Sequence, residues 1–398
     1  MASFALRQFF TNKLRDMARI YLDNAATSFP KPEAVYAAVD HYQRHLGAAA
    51  GRGAYGTSGE VGGIIERLRQ NLARLFQGES SQQFAFTFNG TDALNLAIHG
   101  VLRPGDHVIT TAAEHNSVLR PLRSLGDQGV AVTVVDVDEH GRVSVDAVRE
   151  AFRPTTRLMV VTHASNVTGV IQPIERLVEV ARERGVLSLL DAAQTAGHVP
   201  IDLTAWPVDL LACPGHKGLL GPLGTGVLYV RPGVEGLLRT VRQGGTGTAS
   251  ESETHPRVMP AMLEAGNLNV AGLVGLEAST RWLMERGVAR LEGKAQQLTR
   301  YLLEGLRGIE GIRVYGDDGG PRVGVVSFTL ADWPPSDLAN VLDTEFGIET
   351  RAGLHCAPRI HERLGTLSQG GTLRASVGPL TSEVEIDAIL DALRQISG

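Results

Sequence analysis

The stretch Leu210–Gly226, LLACPGHKGLLGPLGTG, decides the architecture. With Val208 and Asp209 before it, the apolar run to Cys213 reads as a short buried strand stopped by Pro214-Gly215. Lys217 then falls just past a strand end, between His216 and a glycine. In an open α/β sheet, ligands sit in the crevice beyond the carboxyl ends of the strands. A lysine desolvated there has a lowered pKa and is suited to forming a Schiff base with a carbonyl. Taken alone, Gly-His-Lys is most simply a surface turn; its neighbours argue otherwise.

Working outward, strands and helices alternate. Phe84–Phe88 reads as a strand, and Asn89-Gly-Thr-Asp92 turns it into a helix over Ala93–Gly100. Free amides at that helix start, with Gly90 and the Thr91 hydroxyl, make a ready phosphate site. Strands at His107–Thr111, Val130–Val135, Leu158–Thr162 and Val186–Leu190 alternate with helices at Val145–Phe152 and Ile174–Arg184. They end at Glu114-His-Asn116, Ser165-Asn166 and Asp191-Ala-Ala-Gln194. This rhythm predicts an α/β fold with a mostly parallel sheet covered on both faces. Val227–Val230 adds a strand whose direction is open.

Upstream, Ile20–Asp23 is a strand, Glu33 to about Leu46 a helix, Gly47–Gly63 a glycine-rich loop containing Arg52, and Ile64–Phe76 a helix. Downstream, Gly244–His255 reads as a mobile loop. A helical region from about Ala271 to Leu306 breaks near Gly287. Strands at Val323–Leu330, Ile348–Arg351 and Leu373–Val377 follow, with helices at Ser336–Phe346 and from Thr381, where Ser382 and Glu385 have capping-box spacing. The expected division is an N-terminal segment 1–34, a large domain 35–270 and a smaller α+β domain 271–398.

Composition excludes several classes. The 398 residues exceed one compact core, and a net charge of −5 offers no basic field for nucleic acid or an anionic membrane. No apolar run approaches the roughly 20 residues of a membrane span. Two cysteines cannot form a disulfide framework, which predicts a reducing, cytoplasmic setting. Residues 1–19 are basic and amphipathic, as in a mitochondrial-type presequence; the plainer expectation is a start at Met17 with a disordered or misassigned extension before it.

Asp191 precedes Lys217 by 26 positions (217 − 191). A carboxylate sharing a crevice with a Schiff-base lysine is the pairing pyridoxal phosphate requires, because it keeps the ring nitrogen protonated. His115 could stack on a ring or shuttle a proton, or be structural. Asn166 and Gln194 could bond a ring oxygen or simply form turns. Cys356, in Arg351-Ala-Gly-Leu-His-Cys-Ala-Pro358, sits in a loop where nearby cations would favour the thiolate. With His361 it supplies only two zinc ligands, so no metal site is expected. Cys213 is inert within its strand. Arg374 could clamp a carboxylate with two parallel hydrogen bonds.

These residues resemble the class V, aminotransferase-like pyridoxal-phosphate enzymes, and within them the cysteine desulfurases and selenocysteine lyases. Tyr21-Leu-Asp-Asn-Ala-Ala-Thr27, Asp191-Ala-Ala-Gln194, Gly215-His-Lys217 and Arg351-Ala-Gly-Leu-His-Cys356 occur in that family's order, and the last resembles the group II form. The resemblance implies a fold type I transferase with a seven-stranded sheet, working as a homodimer with its active site near the subunit interface. It implies that Lys217 carries the cofactor, Asp191 pairs with the ring nitrogen, Gln194 and Asn166 contact the ring oxygen and His115 stacks on the ring. Gly90, Thr91 and His216 would hold the phosphate. Cys356 would accept sulfur, with Arg374, Arg351 and Asn166 binding the substrate. L-cysteine, or L-selenocysteine, would be the substrate, and a persulfide would pass to an acceptor protein.

Three positions depart from the family pattern. Pro214 stands where relatives place a serine, and Asn267 where they often use the partner subunit's threonine. Gly378-Pro-Leu-Thr381 replaces an aromatic-Asn-Thr ending. The alternatives are an aminotransferase or epimerase of the same fold, or a sulfur-relay protein that binds cofactor without turnover.

Overall fold

The computed structural model describes residues 19–50, 53–248, 251–316 and 319–398. The basic N-terminal stretch with its expected start at Met17, Arg52, and the centre of the Gly244–His255 loop lie outside the described residues. The strands are β1 Ile20–Tyr21, β2 Phe84–Thr87, β3 His107–Thr111, β4 Ala131–Val135, β5 Thr156–Thr162, β6 Leu187–Asp191, β7 Leu210–Pro214, β8 Gly226–Val230, β9 Ile312–Tyr315, β10 Val325–Leu330, β11 Ile348–Glu349, β12 Arg351–Gly353 and β13 Thr372–Ser376.

Seven strands form one sheet in the order β2-β8-β7-β6-β5-β3-β4. The run from β7 to β4 is parallel, and β8 lies antiparallel to both β7 and β2. This is the mainly parallel α/β sheet expected, with the open direction of β8 now fixed. Every residue of β6 and β7 is buried, as a parallel sheet covered on both faces requires. Period-2 alternation sends Leu211 and Cys213 into one apolar layer and Leu210 and Ala212 into the other.

The helices are α1 Glu33–His41, α2 Gly56–Leu75, α3 Gly90–Val101, α4 Asn116–Gly126, α5 Val145–Ala151, α6 Ile174–Glu183, α7 Val270–Arg286, α8 Val288–Arg307, α9 Pro335–Phe346, α10 Pro358–Leu364 and α11 Glu383–Ser397. A π-helical turn extends α1 to Leu46. The glycine-rich loop expected to reach Gly63 ends earlier, because α2 begins at Gly56. Ser58, Val61, Ile65, Leu68 and Leu72 are buried at helical spacing, and α2 packs on α7, so packing overrides weak propensity. The break between α7 and α8 falls at Gly287, whose φ of +77° suits glycine.

A second sheet, β12-β13-β10-β9, is antiparallel throughout. The strand expected over Ile348–Arg351 is two strands in two sheets: β11 pairs in parallel with β1, whereas β12 pairs with β13. Thus the chain's first strand is stitched to its last third, with Leu22 in the same apolar cluster as Phe328, Leu342 and Ile389. Strand β9 and helices α4 and α10 have no counterpart in the sequence expectations. No helix among the described residues is long and apolar enough to cross a membrane.

The capping box is present: the Glu385 carboxylate accepts from the Ser382 backbone N–H at 2.8 Å and from its hydroxyl at 2.9 Å. Glu385→Ala leaves that N–H to water and should lower unfolding free energy by about 1 kcal/mol in a denaturant titration. An unchanged midpoint would remove the box from the account of α11.

Candidate active site

Strands β5, β6 and β7 end side by side, with Thr162 opposite Asp191 and Asp191 opposite Ala212. Just past β7 the chain turns, with the Gly221 N–H donating to the Gly215 carbonyl at 2.8 Å and the Leu220 N–H to that of Lys217 at 2.8 Å. Lys217 therefore opens onto a cleft at the strand ends, shared with Gly90, Thr91, His115, Asn166, Asp191 and Gln194. The sequence placed these residues after different strands, and the fold brings them together with His216.

The turn is held from outside by the segment Asp23–Lys31. The His216 carbonyl accepts from the Ser28 N–H at 3.1 Å, the Ser28 hydroxyl at 3.0 Å, the Thr27 hydroxyl at 3.2 Å and Lys31 Nζ at 2.8 Å. Ser28 Oγ also reaches the Lys217 carbonyl at 2.9 Å. From behind, Gly197 supports the turn. Its φ is +81°, and a Cβ there would stand 2.2 Å from the Gly218 carbonyl oxygen.

Burial lowers Lys217 to about 8; Asp191 opposes the shift, while Arg374 and Arg351 reinforce it. Among the described residues no hydrogen bond or ion pair holds Nζ. Burial raises Asp191, against the Ala193 N–H at 2.9 Å from Oδ1 and the charge of Lys217. His115 is pushed down to about 4 by burial first and Lys217 second, so its ring is neutral at pH 7. Nδ1 accepts from the Ser117 N–H at 3.1 Å, which puts the ring proton on Nε2.

Opposite Asp191 stands the first turn of α3. Asn89 caps the Asp92 N–H at 2.9 Å, leaving the N–H groups of Gly90 and Thr91 free for an anion. Gly90 packs against Pro214, where a Cβ would come within 3.0 Å of the proline ring. Thr91 and Ser117 hydroxyls pair at 2.7 Å, and buried His216 Nδ1 has no partner. An amide nest with an unpartnered imidazole at one end, a buried carboxylate at the other and a low-pKa amine between fits pyridoxal phosphate in its donor set.

The second sheet supplies the remaining groups. Arg374 on β13 is 1% exposed, donates to Asp23 Oδ1 at 2.6 Å and to the Asn166 carbonyl at 3.0 Å, and keeps a buried Nε without a partner. Cys356 is exposed, and Arg351 Nη2 lies 3.6 Å from its sulfur. Its loop is bonded to the large sheet's side twice: the Asn116 N–H donates to the Cys356 carbonyl at 2.7 Å, and Asn166 Nδ2 to the His355 carbonyl at 2.6 Å. Gln194 Nε2 donates to the Ala25 carbonyl at 3.1 Å. Asn166 and Gln194 thus each have one amide proton engaged and one left.

Some expected residues stand apart. Asn267 does not line the Lys217 cleft of this chain; it is exposed in a separate groove beside Arg69 and Glu264. His361 is buried on Thr366 at 2.7 Å, and no cluster of three His, Cys, Asp or Glu side chains fit to hold a metal forms among the described residues. Sequence reasoning gave no role to Asp23, Ser28, Lys31, Ser117 or Gly197. Only the Tyr21–Thr27 wording pointed at one of them, Asp23.

The sequence pattern of class-V aminotransferases matches residues 20–389. The chain belongs to the aminotransferase class-V family. That family is generally dependent on pyridoxal phosphate. This class-V chain is 37% identical over 391 residues to a probable cysteine desulfurase of Methanothermobacter thermautotrophicus, spanning 97% of this chain and 96% of that one. It is 32% identical over 384 residues to a cysteine desulfurase of Klebsiella pneumoniae, spanning 94% and 93%. Among solved structures, the apo cysteine desulfurase of Thermococcus onnurineus NA1 superposes with a TM-score of 0.89 at 30% identity, covering 97% of this chain and 98% of that one. The cysteine desulfurase CsdA of Escherichia coli gives 0.85 at 28% identity, with 97% and 98% covered.

Gly197→Ala should force the Gly218 carbonyl, and with it Lys217, out of place. The expected outcome is a folded protein whose borohydride-trapped cofactor at Lys217 drops by about tenfold, a misplacement effect on the scale set by lost orientation. Full trapping would show that the turn holds its shape without Gly197.

Proposed function

We propose that this protein is a cysteine desulfurase that takes sulfur from L-cysteine onto Cys356 and leaves alanine. The observation that supports the reading is the double tether of the loop of exposed Cys356 to Asn116 and to Asn166, a residue that lines the Lys217 cleft. Neither transamination nor epimerisation calls for that thiol.

Bound pyridoxal phosphate would supply an electron sink for the substrate's Cα. Lys217 Nζ would bond its aldehyde and, once freed by the substrate amine, would take the Cα proton as a base. Asp191 would hold the ring nitrogen charged. The Gly90 and Thr91 amides and His216 would hold the phosphate, and Asn166 and Gln194 would offer their remaining amide protons to the ring oxygen. His115, neutral with its proton on Nε2, would stack on the ring and act as a short-range proton donor. Arg374, already aimed by Asp23 and the Asn166 carbonyl, would take the substrate carboxylate on its unpartnered Nε and an adjoining nitrogen.

Cys356 Sγ, 3.6 Å from Arg351 Nη2, would attack the substrate sulfur as a thiolate. The new S–S bond forms as the substrate C–S bond breaks, its electron pair passing to carbon and later taking a proton to give alanine. The exposed persulfide can then pass its outer sulfur to an acceptor thiol. The Asn267 groove and the exposed cysteine suit a homodimer whose site lies near the interface, working in a reducing cytoplasm. The reading divides the work between two units, 35–270 and 271–398, with the N-terminal segment joining the second.

Purified protein given L-cysteine and a thiol reductant should release sulfide and alanine in equal amounts. Cys356→Ala should keep the yellow cofactor band and lose sulfide release by about 10³-fold, the scale on which deleted nucleophiles act. A keto acid formed without sulfide would replace this reading with a transaminase. The lowered Lys217 makes a further forecast: reductive alkylation of the cofactor-free protein at this residue should rise with pH through about 8, not near the 10.5 of an ordinary lysine. A midpoint at the ordinary value would mean that the amine is solvated and the cleft open.

A further inference from the structure

Glu114 lies one residue before His115, just past the end of β3, with none of its surface exposed. Oε1 accepts from the Thr111 hydroxyl at 2.7 Å and from the Thr162 N–H at 3.0 Å. Oε2 is fully buried and has no hydrogen-bond partner. No Lys, Arg or His forms an ion pair with it among the described residues. From β3 it meets Thr111 and from β5 Thr162, both uncharged. The one ionisable group acting on it is Asp191 on β6, opposite Thr162 in register. Lys217 in turn acts on Asp191, and His115 is neutral.

Two carboxyl groups side by side in a dry site do not both ionise readily, and the environment decides which keeps its proton. Asp191 has the Ala193 N–H and the Lys217 charge on its side. Glu114 has two donors on one oxygen, nothing on the other and no cation. Burial lifts it to about 8, so it stays protonated at neutral pH.

We infer that Glu114 is a positioning residue working as an undissociated acid: it ties the end of β3 to Thr162, sets His115 over the cleft, and leaves Asp191 free of a competing charge. The inference rests on Asp191 facing a cofactor ring nitrogen, since an ionised Glu114 would push the Asp191 proton affinity up and weaken that pairing. The role differs from that of Lys217 or Cys356, because Glu114 acts only through its neighbours.

Glu114→Gln keeps the shape and both accepted hydrogen bonds but removes the titration. In the native protein Glu114 holds its proton up to about 8, whereas the unfolded chain releases it near 4.5. Wild type therefore has its full stability from this group below the unfolded value, and loses it as pH climbs toward the native one. The melting temperature of the Gln variant, relative to wild-type holoenzyme, should rise from about pH 5 to about pH 8 and level off above. A difference flat across that range would overturn the inference, because it would mean an ionised native Glu114. Glu114→Ala should cut kcat by about tenfold and Gln should restore most of it, with the pH midpoint of the cofactor's absorbance unmoved. Equal loss in both variants would also overturn it.

Should the Gln variant not fold, infrared spectra of wild type decide the same question. They should show a buried protonated-carboxyl band near neutral pH that bleaches as pH passes about 8; its absence sinks the inference. The melting series can be repeated on cofactor-free protein. Failure of Lys217 to bind cofactor would then overturn the desulfurase reading while still leaving the state of Glu114 measured.

Discussion

The desolvation of one amine governs this molecule. An ammonium in water has no reason to give up its proton near neutral pH, and a protonated amine cannot bond a carbonyl. Setting Lys217 at the end of a buried parallel strand removes most of its water, and the nearby carboxylates, Asp191 first and Asp23 second, only partly compensate. Two arginines on the second sheet, Arg374 and Arg351, add to the pressure. The low pKa is thus a property of both sheets together, since neither alone surrounds Nζ with low dielectric and like charge.

That dependence explains how much structure is committed to the segment Asp23–Lys31. Its hydroxyls and the Lys31 ammonium converge on the His216 carbonyl, its Ala25 carbonyl receives Gln194, and its Asp23 carboxylate neutralises Arg374. Burying an arginine at 1% exposure without a counter-ion would be strongly destabilising, so Asp23 is what allows the guanidinium to sit there. The same segment follows β1, which is stitched to β11. The first described residues therefore act as a strap across the lysine turn and Arg374, and a shift at one is felt at the other.

The parts of this arrangement that sequence exposes are those with local grammar. Strand β7 stops at Pro214-Gly215, β6 stops at Asp191, and α3 starts on Asn89, so the crevice and most of its occupants follow from hydrophobic period and turn chemistry. What stayed hidden needed three dimensions. Asp23 pairs with a residue 351 positions away, and Gly197 is required only because Gly218 backs onto it. Glu114 looks like any acidic residue after a strand until its burial is known. The early start of α2 at Gly56 was obscured for the opposite reason: its glycines argue for a loop, and only contact with α7 makes helix the better state. Asn267 was placed by family wording alone, and in one chain it stays in its own groove.

The cysteine loop closes the circuit between the two sheets, and it does so under strain. His355 and Cys356 both have positive φ, +48° and +59°, a region that non-glycine residues enter at a cost of about 1–3 kcal/mol each. Such a conformation persists only where surroundings over-determine it. Here His355 Nε2 is held at Thr372, while the carbonyls of His355 and Cys356 accept from Asn166 and Asn116. Those donors belong to the same loops that carry His115 and line the Lys217 cleft. A relaxed loop would turn the Cys356 carbonyl away from Asn116 and release the thiol from its place beside Arg351. The strain is therefore held by the two asparagines, which couple the position of the large sheet to the backbone conformation of the cysteine loop.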